Sequence, residues 1–384
     1  MNLISLSKCI LKDFLVSPKL LSGLLVNIEN RINLAANWLC LAQDVSDDGG
    51  VSARYSLIYG WDSSYPETTG YIIPTFFQYS NLVGSEEYFK RALKMADWLL
   101  LLQRNDGGFK GGPIDSNDGS LVFDTGQILF GLIAAHNHTG QKKFLAAAIK
   151  SGKWLVGAQN ENGTWRNYAF LSTEHTYYTR VAWALSSLYM YTGEVIFKKA
   201  ASKNIDWALT KQNKKGWFDC TGFMEKVHKT PYTHTIAYTI RGILETGIRL
   251  GIHSYIEAAK LSADYLLNSI NTNQFCGGTY DKSWNPDTKF SCLTGNCQIA
   301  IIFFRLCDVI GNDHYFKAGQ ALNRYVCQCQ STEGSHEFKG AIPGSFPIWQ
   351  KYMRLSYPNW ATKFFMDSLM MEKNICENRN SMEK

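Results

Sequence analysis

The sequence predicts an all-α protein built as a ring of six helical hairpins, an (α/α)6 toroid. Three observations predict it: a repeat that starts with an aromatic residue, a second repeat built on glycine, and a set of helices that are apolar on every side. We predict one toroid over residues 1–384, with residues 1–25 as an N-terminal extension and residues 373–384 as a disordered tail. Stacked repeats allow one domain of this length, because each unit buries its apolar face against its neighbours.

The first repeat has an aromatic residue, a glutamine five positions later, a glycine four positions after that, and then another ring. The segment with Trp154, Gln159, Gly163 and Trp165 shows it most completely. The leading aromatic residues of the six units are Trp38, Trp98, Trp154, Trp207, Tyr265 and Tyr325. Their steps run from 53 residues (154 to 207) to 60 residues (38 to 98), so they predict six copies of one structural unit.

The second repeat is a glycine that ends an apolar run and is followed four or five residues later by an aromatic residue, as with Gly84 and Phe89. Glycine is the preferred residue just past the end of a helix, because it adopts the left-handed conformation without strain. The five glycines of this kind are Gly84, Gly140, Gly193, Gly251 and Gly311. They predict short turns between the inner helix of one unit and the outer helix of the next, at an end of the ring with little material for a site.

The helices are of two kinds. The segments QILFGLIAAH (127–136) and CQIAIIFFRL (297–306) are apolar on nearly all sides, whereas KKFLAAAIKSGKWL (142–155) carries charges on one face. A helix that is apolar all round is expected to be buried. A ring with apolar inner helices and charged outer helices satisfies both patterns. An open superhelical array is the alternative, but its repeats are expected to be shorter and more uniform.

The polar loops that precede the inner helices are predicted to share one end of the ring and to form the site. We predict that Asp124, Glu67, His175 and His234 are catalytic, because carboxyl and imidazole groups transfer protons near neutral pH once burial shifts their pKa values. Nearby aromatic rings would stack on sugars, and arginine would pair with a carboxylate. The predicted substrate-binding residues are Trp61, Asp62, Tyr65, Arg166, Tyr168, Tyr177, Tyr178, Arg180, Tyr232, Trp284, Asn296, Asn359 and Trp360.

Helix capping is the structural alternative for the same positions. Asp124 is equally explained as the cap of its helix, and Glu67 follows Pro66 in a first turn, where the helix dipole favours an acid. The threonines predicted to be N-caps are Thr69, Thr125, Thr235 and Thr294. Two tryptophans of the first repeat, Trp165 and Trp217, are interpreted as structural pins between repeats.

Composition narrows the class of protein. The net charge is +6, from 39 Lys and Arg against 33 Asp and Glu, which suits an anionic substrate, and no basic run predicts nucleic-acid binding. The ten cysteines form no CxxC pair, so we predict no metal site, no disulfide framework and no cofactor. The N-terminus does not resemble a signal peptide and no apolar stretch predicts a membrane span, so a cytoplasmic location is expected.

Two resemblances to known families bear on function. VFDTGQILFGL (122–132) is similar to the inner-helix segment of unsaturated uronyl hydrolases, which implies that Asp124 is the general acid/base that protonates the substrate. The set of His175, Tyr178 and Arg180 looks more like a polysaccharide lyase or sugar epimerase, where a base removes the proton beside a carboxylate that arginine neutralises.

The frame from Gln159 to Trp165 resembles the QW motif of triterpene cyclases, which concerns how repeats are joined. The functional acid motif of those cyclases is not matched: the nearest string, residues 44–48, has other spacing and lies in a different loop. We therefore expect a carbohydrate-active enzyme that acts on an anionic, uronic-acid-type glycan by general acid/base catalysis, as hydrolase, lyase or epimerase, in surface-polysaccharide metabolism. The alternatives are an isoprenoid-processing toroid and a non-catalytic glycan-binding protein.

Overall fold

The computed structural model describes Asp13, residues 27–223 and residues 230–382. Apart from Asp13, the predicted N-terminal extension lies outside the described residues. The outer helices are α1 (Ile28–Asp44), α3 (Glu86–Leu102), α5 (Lys142–Gly157), α7 (Val195–Leu209), α9 (His253–Asn273) and α11 (Asp313–Cys329). The inner helices are α2 (Pro66–Val83), α4 (Val122–Thr139), α6 (Thr179–Thr192), α8 (Thr233–Leu250), α10 (Leu293–Ile310) and α12 (Asn359–Met382). Two single 3-10 turns, Phe170–Ser172 and Thr176–Tyr178, precede α6.

The inner helices form a closed ring. Each packs against the next in chain order, and α12 packs against both α2 and α1, so the last hairpin contacts the first. This confirms the predicted (α/α)6 toroid over the open array. One inner helix, α10, has the length and composition of a membrane-spanning helix, but 78% of that stretch is buried inside the ring.

Five short strands lie in the loops that lead into the inner helices. Strand β1 (Arg54–Ser56) pairs antiparallel with β2 (Gly60–Trp61) and with β5 (Ser356–Pro358). Strand β3 (Ser291–Cys292) pairs with β4 (Ser345–Phe346). The pairing of β1 with β5 joins the loop of the first hairpin to that of the last, so these loops form a continuous rim at one end of the ring.

The glycine turns occur as predicted at the other end. Gly84, Gly140, Gly193, Gly251 and Gly311 follow α2, α4, α6, α8 and α10 with φ values of 65°, 68°, 69°, 68° and 75°. Each donates its backbone N–H to a carbonyl of the helix it ends, so each is a left-handed C-terminal cap.

The glutamines of the first repeat join neighbouring hairpins. The amide of Gln103 donates to the carbonyl of Ala147 in the next outer helix, at 2.8 Å. The last glutamine, Gln330, donates to the carbonyl of Arg31 at 3.1 Å and so connects the sixth hairpin to the first. The five glutamines with such a bond are Gln43, Gln103, Gln159, Gln212 and Gln330. The predicted structural role of this frame is therefore confirmed.

We expect Gln330→Ala to lower the free energy of unfolding by about 2 kcal/mol. The side chain is 1% exposed and also donates to the carbonyl of Gly340 at 2.9 Å, so its loss leaves buried acceptors without a donor. Urea denaturation measures the change. Gln141→Ala is the matched control, because Gln141 is exposed and its side chain makes no capping bond. Equal effects of both substitutions would contradict a closing role for Gln330.

The threonines are not N-caps, which corrects the sequence-based expectation. Thr69, Thr125, Thr235 and Thr294 lie two to four residues past the capping positions, which Tyr65, Leu121, Tyr232 and Cys292 occupy. The hydroxyl of Thr69 instead accepts the backbone N–H of Val51 at 2.9 Å, and that of Thr125 accepts the N–H of Phe109 at 3.0 Å. Thr69 and Thr125 therefore each anchor the preceding loop to its inner helix.

Residues 373–382 of the predicted disordered tail are helical instead. Helix α12 continues to Met382, within the part of the chain that the structure describes. Lys373 pairs with Glu29 of α1 at 2.6 Å, and Arg379 pairs with Asp313 of α11 at 2.7 Å. Contacts with two outer helices therefore extend the helix past the end of the ring.

Glycines bring the inner helices close together. A Cβ atom added at Gly242 of α8 would lie 2.3 Å from the backbone of Thr179 in α6, and one at Gly131 of α4 would lie 2.3 Å from the carbonyl oxygen of Gly70 in α2. Both distances are below any normal carbon contact. The close packing of the inner ring therefore depends on the absence of side chains at these positions.

Candidate active site

A cavity of about 290 Å³ opens at the rim where the loops and the inner-helix starts meet. This is the end of the ring at which the sequence predicts a site. Six of the predicted site residues line the cavity, and they come from five different segments of the chain. They are Tyr65, Glu67, Asp124, Tyr177, His234 and Trp360.

Two buried carboxyl groups face this cavity together. Glu67 in the first turn of α2 is 8% exposed, and Asp124 in the first turn of α4 is 4% exposed. The hydroxyl of Tyr65 hydrogen-bonds to both carboxyls. Asp124 does not cap its helix; its Oδ1 accepts the backbone N–H of Gly112 at 3.1 Å. The two acids therefore form one hydrogen-bonded unit with Tyr65.

Burial raises the pKa values of both acids. The pKa of Glu67 rises to about 8, from burial and from repulsion by Asp124, although Tyr65 and Arg180 oppose the rise. The pKa of Asp124 rises to about 7, mainly from burial, and the bond from Gly112 opposes it. Like charges this close do not both ionise readily, so near neutral pH the pair holds about one proton. The donor from Gly112 favours the ionised form of Asp124, which leaves the proton on Glu67.

His234 lines the same cavity as a neutral group. Burial, with help from the charge of Arg180, lowers the pKa of His234 to about 3. The amide nitrogen of Gln298 lies 3.1 Å from its Nδ1, and the Tyr238 ring lies 4.2 Å from its ring. An uncharged imidazole in this position can hydrogen-bond a substrate hydroxyl.

Aromatic rings form much of the remaining wall, and most of them were not predicted from the sequence. Tyr71 and Tyr238 lie one helical turn below Glu67 and His234, so helical periodicity contained the signal for both. No such signal marks the rings that loops contribute. The missed aromatic residues of the lining are Tyr71, Phe123, Phe170, Phe223, Tyr238 and Tyr352. Flat apolar faces around polar groups suit the two faces of a sugar ring.

His175 does not line the cavity, although it was predicted to be catalytic. It is 2% exposed, with Nδ1 at 3.1 Å from the carbonyl oxygen of Gly222 and Nε2 at 3.0 Å from that of Phe170. The Tyr178 hydroxyl accepts the backbone N–H of Phe170 at 2.9 Å. His175 and Tyr178 thus hold Phe170, which is 42% exposed, at the cavity wall.

Arg180 lies beneath the cavity floor rather than in the cavity wall. It is 2% exposed, its Nε donates to Oε1 of Gln127 at 2.8 Å, and its guanidinium lies 4.5 Å from the Tyr238 ring centroid. Arg166 is exposed and is not part of the lining. No Arg or Lys lines the cavity among the residues that the structure describes, so the predicted arginine contact with a substrate carboxylate is not present there.

Other predicted substrate-binding residues make structural contacts outside the lining. Trp284 is buried against Trp217, and its indole donates to the carbonyl of Lys215 at 2.7 Å. Asn296 donates to the carbonyl of Cys292 at 2.8 Å. Trp284 thus contacts the loop of the preceding hairpin, whereas Asn296 bonds within its own hairpin, and sequence position alone did not reveal either set of partners.

Three further predicted substrate-binding residues make structural contacts in the first hairpin or between the first hairpin and the last. Trp61 stacks on Trp38 at 5.7 Å between ring centroids, and Asp62 pairs with Arg54 at 2.6 Å. Asn359 donates to the carbonyl of Ser52 at 2.8 Å, which ties α12 to the first loop. The contacts of Trp61 and Asp62 thus lie within the first hairpin, and the bond of Asn359 helps to close the ring.

Two predicted tyrosines lie near the rim without lining the cavity. Tyr168 is 45% exposed and rests 5.3 Å from the Trp154 ring. Tyr232 packs 5.1 Å from Tyr352, which is itself part of the lining. Within the described ranges, no group of three or more His, Cys, Asp or Glu side chains is arranged to hold a metal ion.

Comparisons with known proteins agree with the fold. No protein-family model and no curated protein matches this sequence. The structure is similar to an unsaturated glucuronyl hydrolase specific for heparin, with a TM-score of 0.73 and 14% identity over 91% of this chain and 98% of that one. It is also similar to an unsaturated glucuronyl hydrolase from Bacillus sp. GL1, described as responsible for the degradation of glycosaminoglycan, with a TM-score of 0.72 and 11% identity over 89% and 96% of the two chains.

A third similar structure is a cellobiose 2-epimerase from Bacillus thermoamylovorans, with a TM-score of 0.70 and 12% identity over 90% of this chain and 100% of that one. These proteins are six-hairpin toroids like the present chain. At these sequence identities the likeness establishes the fold alone.

Proposed function

We propose that this protein is a carbohydrate-active enzyme that hydrolyses an anionic, uronic-acid-type glycan by general acid/base catalysis. The observation that carries the proposal is the pair of Glu67 and Asp124, two buried carboxyls that share about one proton at the cavity. Acid/base hydrolysis needs one proton donor and one acceptor, and a coupled pair provides both near neutral pH.

We assign the two catalytic roles from the environment of each carboxyl. Glu67 holds the proton and donates it to the substrate, while Asp124, kept ionised by the N–H of Gly112, accepts a proton from the attacking water. This reverses the expectation drawn from the resemblance to uronyl hydrolases, in which Asp124 is the donor. Tyr65 bonds to both groups and holds them in register.

An unsaturated uronyl sugar fits this chemistry. Its ring double bond is an enol ether: protonation of one carbon leaves a cation that the ring oxygen stabilises, and water then adds to the neighbouring carbon. The hemiketal formed in this way opens to a ketone and leaves a hemiacetal at the glycosidic carbon, and collapse of the hemiacetal to an aldehyde releases the second sugar. The sum is hydrolysis by one water molecule, and the proton that Glu67 gives is returned to the pair through Asp124. Likeness to two unsaturated glucuronyl hydrolases supports this choice of substrate without deciding it.

Hydrolysis is favoured over elimination and epimerisation because the set of His175, Tyr178 and Arg180, which suggested those two reactions, does not line the cavity. His175 and Tyr178 hold the loop at Phe170, and Arg180 lies beneath the floor. An isoprenoid-processing role is disfavoured because a protonated acid, a carboxylate and a neutral histidine face the cavity. The net charge of +6 and the buried cations below the floor support an anionic substrate.

The test is a panel of uronyl disaccharides, unsaturated and saturated, together with neutral disaccharides. We expect the unsaturated uronyl sugars to lose their ultraviolet absorbance and to release the second sugar, as detected by mass spectrometry. Solvent deuterium uptake without cleavage would instead indicate epimerisation and overturn the hydrolase proposal. Binding of all panel members without any turnover would indicate a glycan-binding protein.

A further inference from the structure

The axis of the ring below the cavity floor contains charged side chains rather than apolar ones. Arg180 of α6, Arg241 of α8 and Lys363 of α12 are 2%, 8% and 5% exposed. Further down, towards the glycine turns, Arg249 and Arg305 have side chains that are 31% and 24% exposed. None of the cations in this column lines the cavity, so the catalytic pair proposed above leaves their arrangement unexplained.

The carboxylates in the column are already engaged. Glu245 accepts from Arg249 at 2.7 Å and from Arg305 at 3.1 Å. Asp367 pairs with Lys363 and accepts from the hydroxyl of Thr75 at 2.7 Å. The Nε of Arg241 lies 3.9 Å from Oε1 of Glu245, which is too far for a hydrogen bond. The charges of Arg180 and Arg241 are therefore the least compensated.

Both of these arginines contact the ring of Trp183. The guanidinium carbons of Arg180 and Arg241 lie 5.0 and 4.8 Å from its centroid. The buried donors that lack an acceptor among the residues that the structure describes include Nη1 of Arg180, Nε of Arg241 and Nε1 of Trp183. All three residues are more than nine-tenths buried. Buried donors without acceptors are costly, and here they accompany an excess of positive charge.

We propose that Arg180, Trp183 and Arg241 form a binding site for a small inorganic anion of halide size. An anion accepts from all three donors and brings the missing negative charge. A water molecule fits the place less well, because it would need acceptors for its own protons, and the nearby oxygens of Gln127 and Glu245 are already bonded. The partly exposed Arg249 and Arg305 mark the approach from the end with the glycine turns.

Thermal unfolding of the full-length protein tests the site without any substrate. Sodium chloride or bromide replaces sodium gluconate at constant ionic strength, since gluconate is too large for the site. We expect the unfolding midpoint to rise with halide concentration and to saturate. Trp183→Phe keeps a ring and removes the N–H, so it should need several-fold more halide for half of the shift. Arg241→Met should abolish the shift.

Trp165→Phe is the matched control. The indole of Trp165 donates to the carbonyl of Leu155 at 2.9 Å, so this variant loses a buried N–H bond elsewhere and should keep the halide response of the native protein. In bromide-soaked crystals, an anomalous peak is expected between Trp183 and Arg241. Equal midpoints in chloride and gluconate, or an unchanged response in Trp183→Phe, would overturn the proposal. If Arg241→Met does not fold, the Trp183→Phe titration decides alone.

Discussion

Glu67→Gln and Asp124→Asn are each expected to lower kcat on an unsaturated uronyl disaccharide by about 10²- to 10⁴-fold, the usual contribution of a general acid or base. Each amide keeps the size of the acid but can neither hold nor release the proton. Because the two carboxyls act as one unit, the double variant should be little slower than either single variant. Initial rates read from the loss of ultraviolet absorbance measure the effect.

The pH profile separates the roles of the two acids. The native enzyme should be active while the pair holds one proton, so its rate falls at high pH, as Glu67 ionises with a pKa of about 8, and falls at low pH, as Asp124 becomes protonated. The residual activity of Glu67→Gln should lose the high-pH limb, and that of Asp124→Asn the low-pH limb. The opposite assignment of limbs would show that Asp124 is the donor.

Asp115→Asn provides the control for loss of a nearby carboxylate. Asp115 lies in the loop before α4, is exposed, and accepts from the hydroxyl of Ser63 at 2.6 Å outside the cavity lining. Its kcat should stay within about twofold of the native value, as for a surface substitution away from the site. Native rates in both Glu67→Gln and Asp124→Asn would refute the catalytic pair.

Gly242→Ala is expected to lower the free energy of unfolding by about 3 kcal/mol, although alanine is the better helix former. The added methyl group would lie 2.3 Å from the backbone of Thr179, which cannot move aside as a flexible side chain would. Helices α6 and α8 must therefore separate, and the strain spreads to neighbours in the closed ring. Urea denaturation and the thermal midpoint measure the loss.

Gly157→Ala is the matched control, because Gly157 is also helical and a Cβ atom there would meet nothing within 4 Å. This substitution should stabilise the protein by up to about 1 kcal/mol through helix propensity alone. A destabilisation of similar size at both positions would show that the close approach of α6 and α8 does not limit stability.

The fold was predictable from the sequence because its repeats are local. A glycine such as Gly84 must end a helix, and a glutamine such as Gln103 recurs with the spacing of the hairpins, so both patterns are readable without knowledge of contacts. Contacts between distant segments were not readable in this way. The pairing of Lys373 with Glu29, which continues α12 where a disordered tail was expected, joins residues at opposite ends of the described chain.

The sequence predicted the end of the ring that holds the candidate cavity better than it predicted the residues that line the cavity. Starts of inner helices carry Glu67, Asp124 and His234, and the ring geometry places these starts at one rim. The same rule failed for His175 and Arg180, because a helix start does not reveal which way a side chain points. The imidazole of His175 hydrogen-bonds to backbone carbonyls, and the guanidinium of Arg180 donates a hydrogen bond to Gln127 of α4.

The bond from Gln330 to Arg31 makes the junction of the last and first hairpins equivalent to the other junctions. An open array has two end units with a single neighbour each, and these can detach while the middle stays folded. Here every hairpin has two neighbours, so detaching one breaks two interfaces at once. Partial unfolding is therefore penalised around the whole circumference, and a newly made chain gains this protection only when its sixth hairpin has arrived.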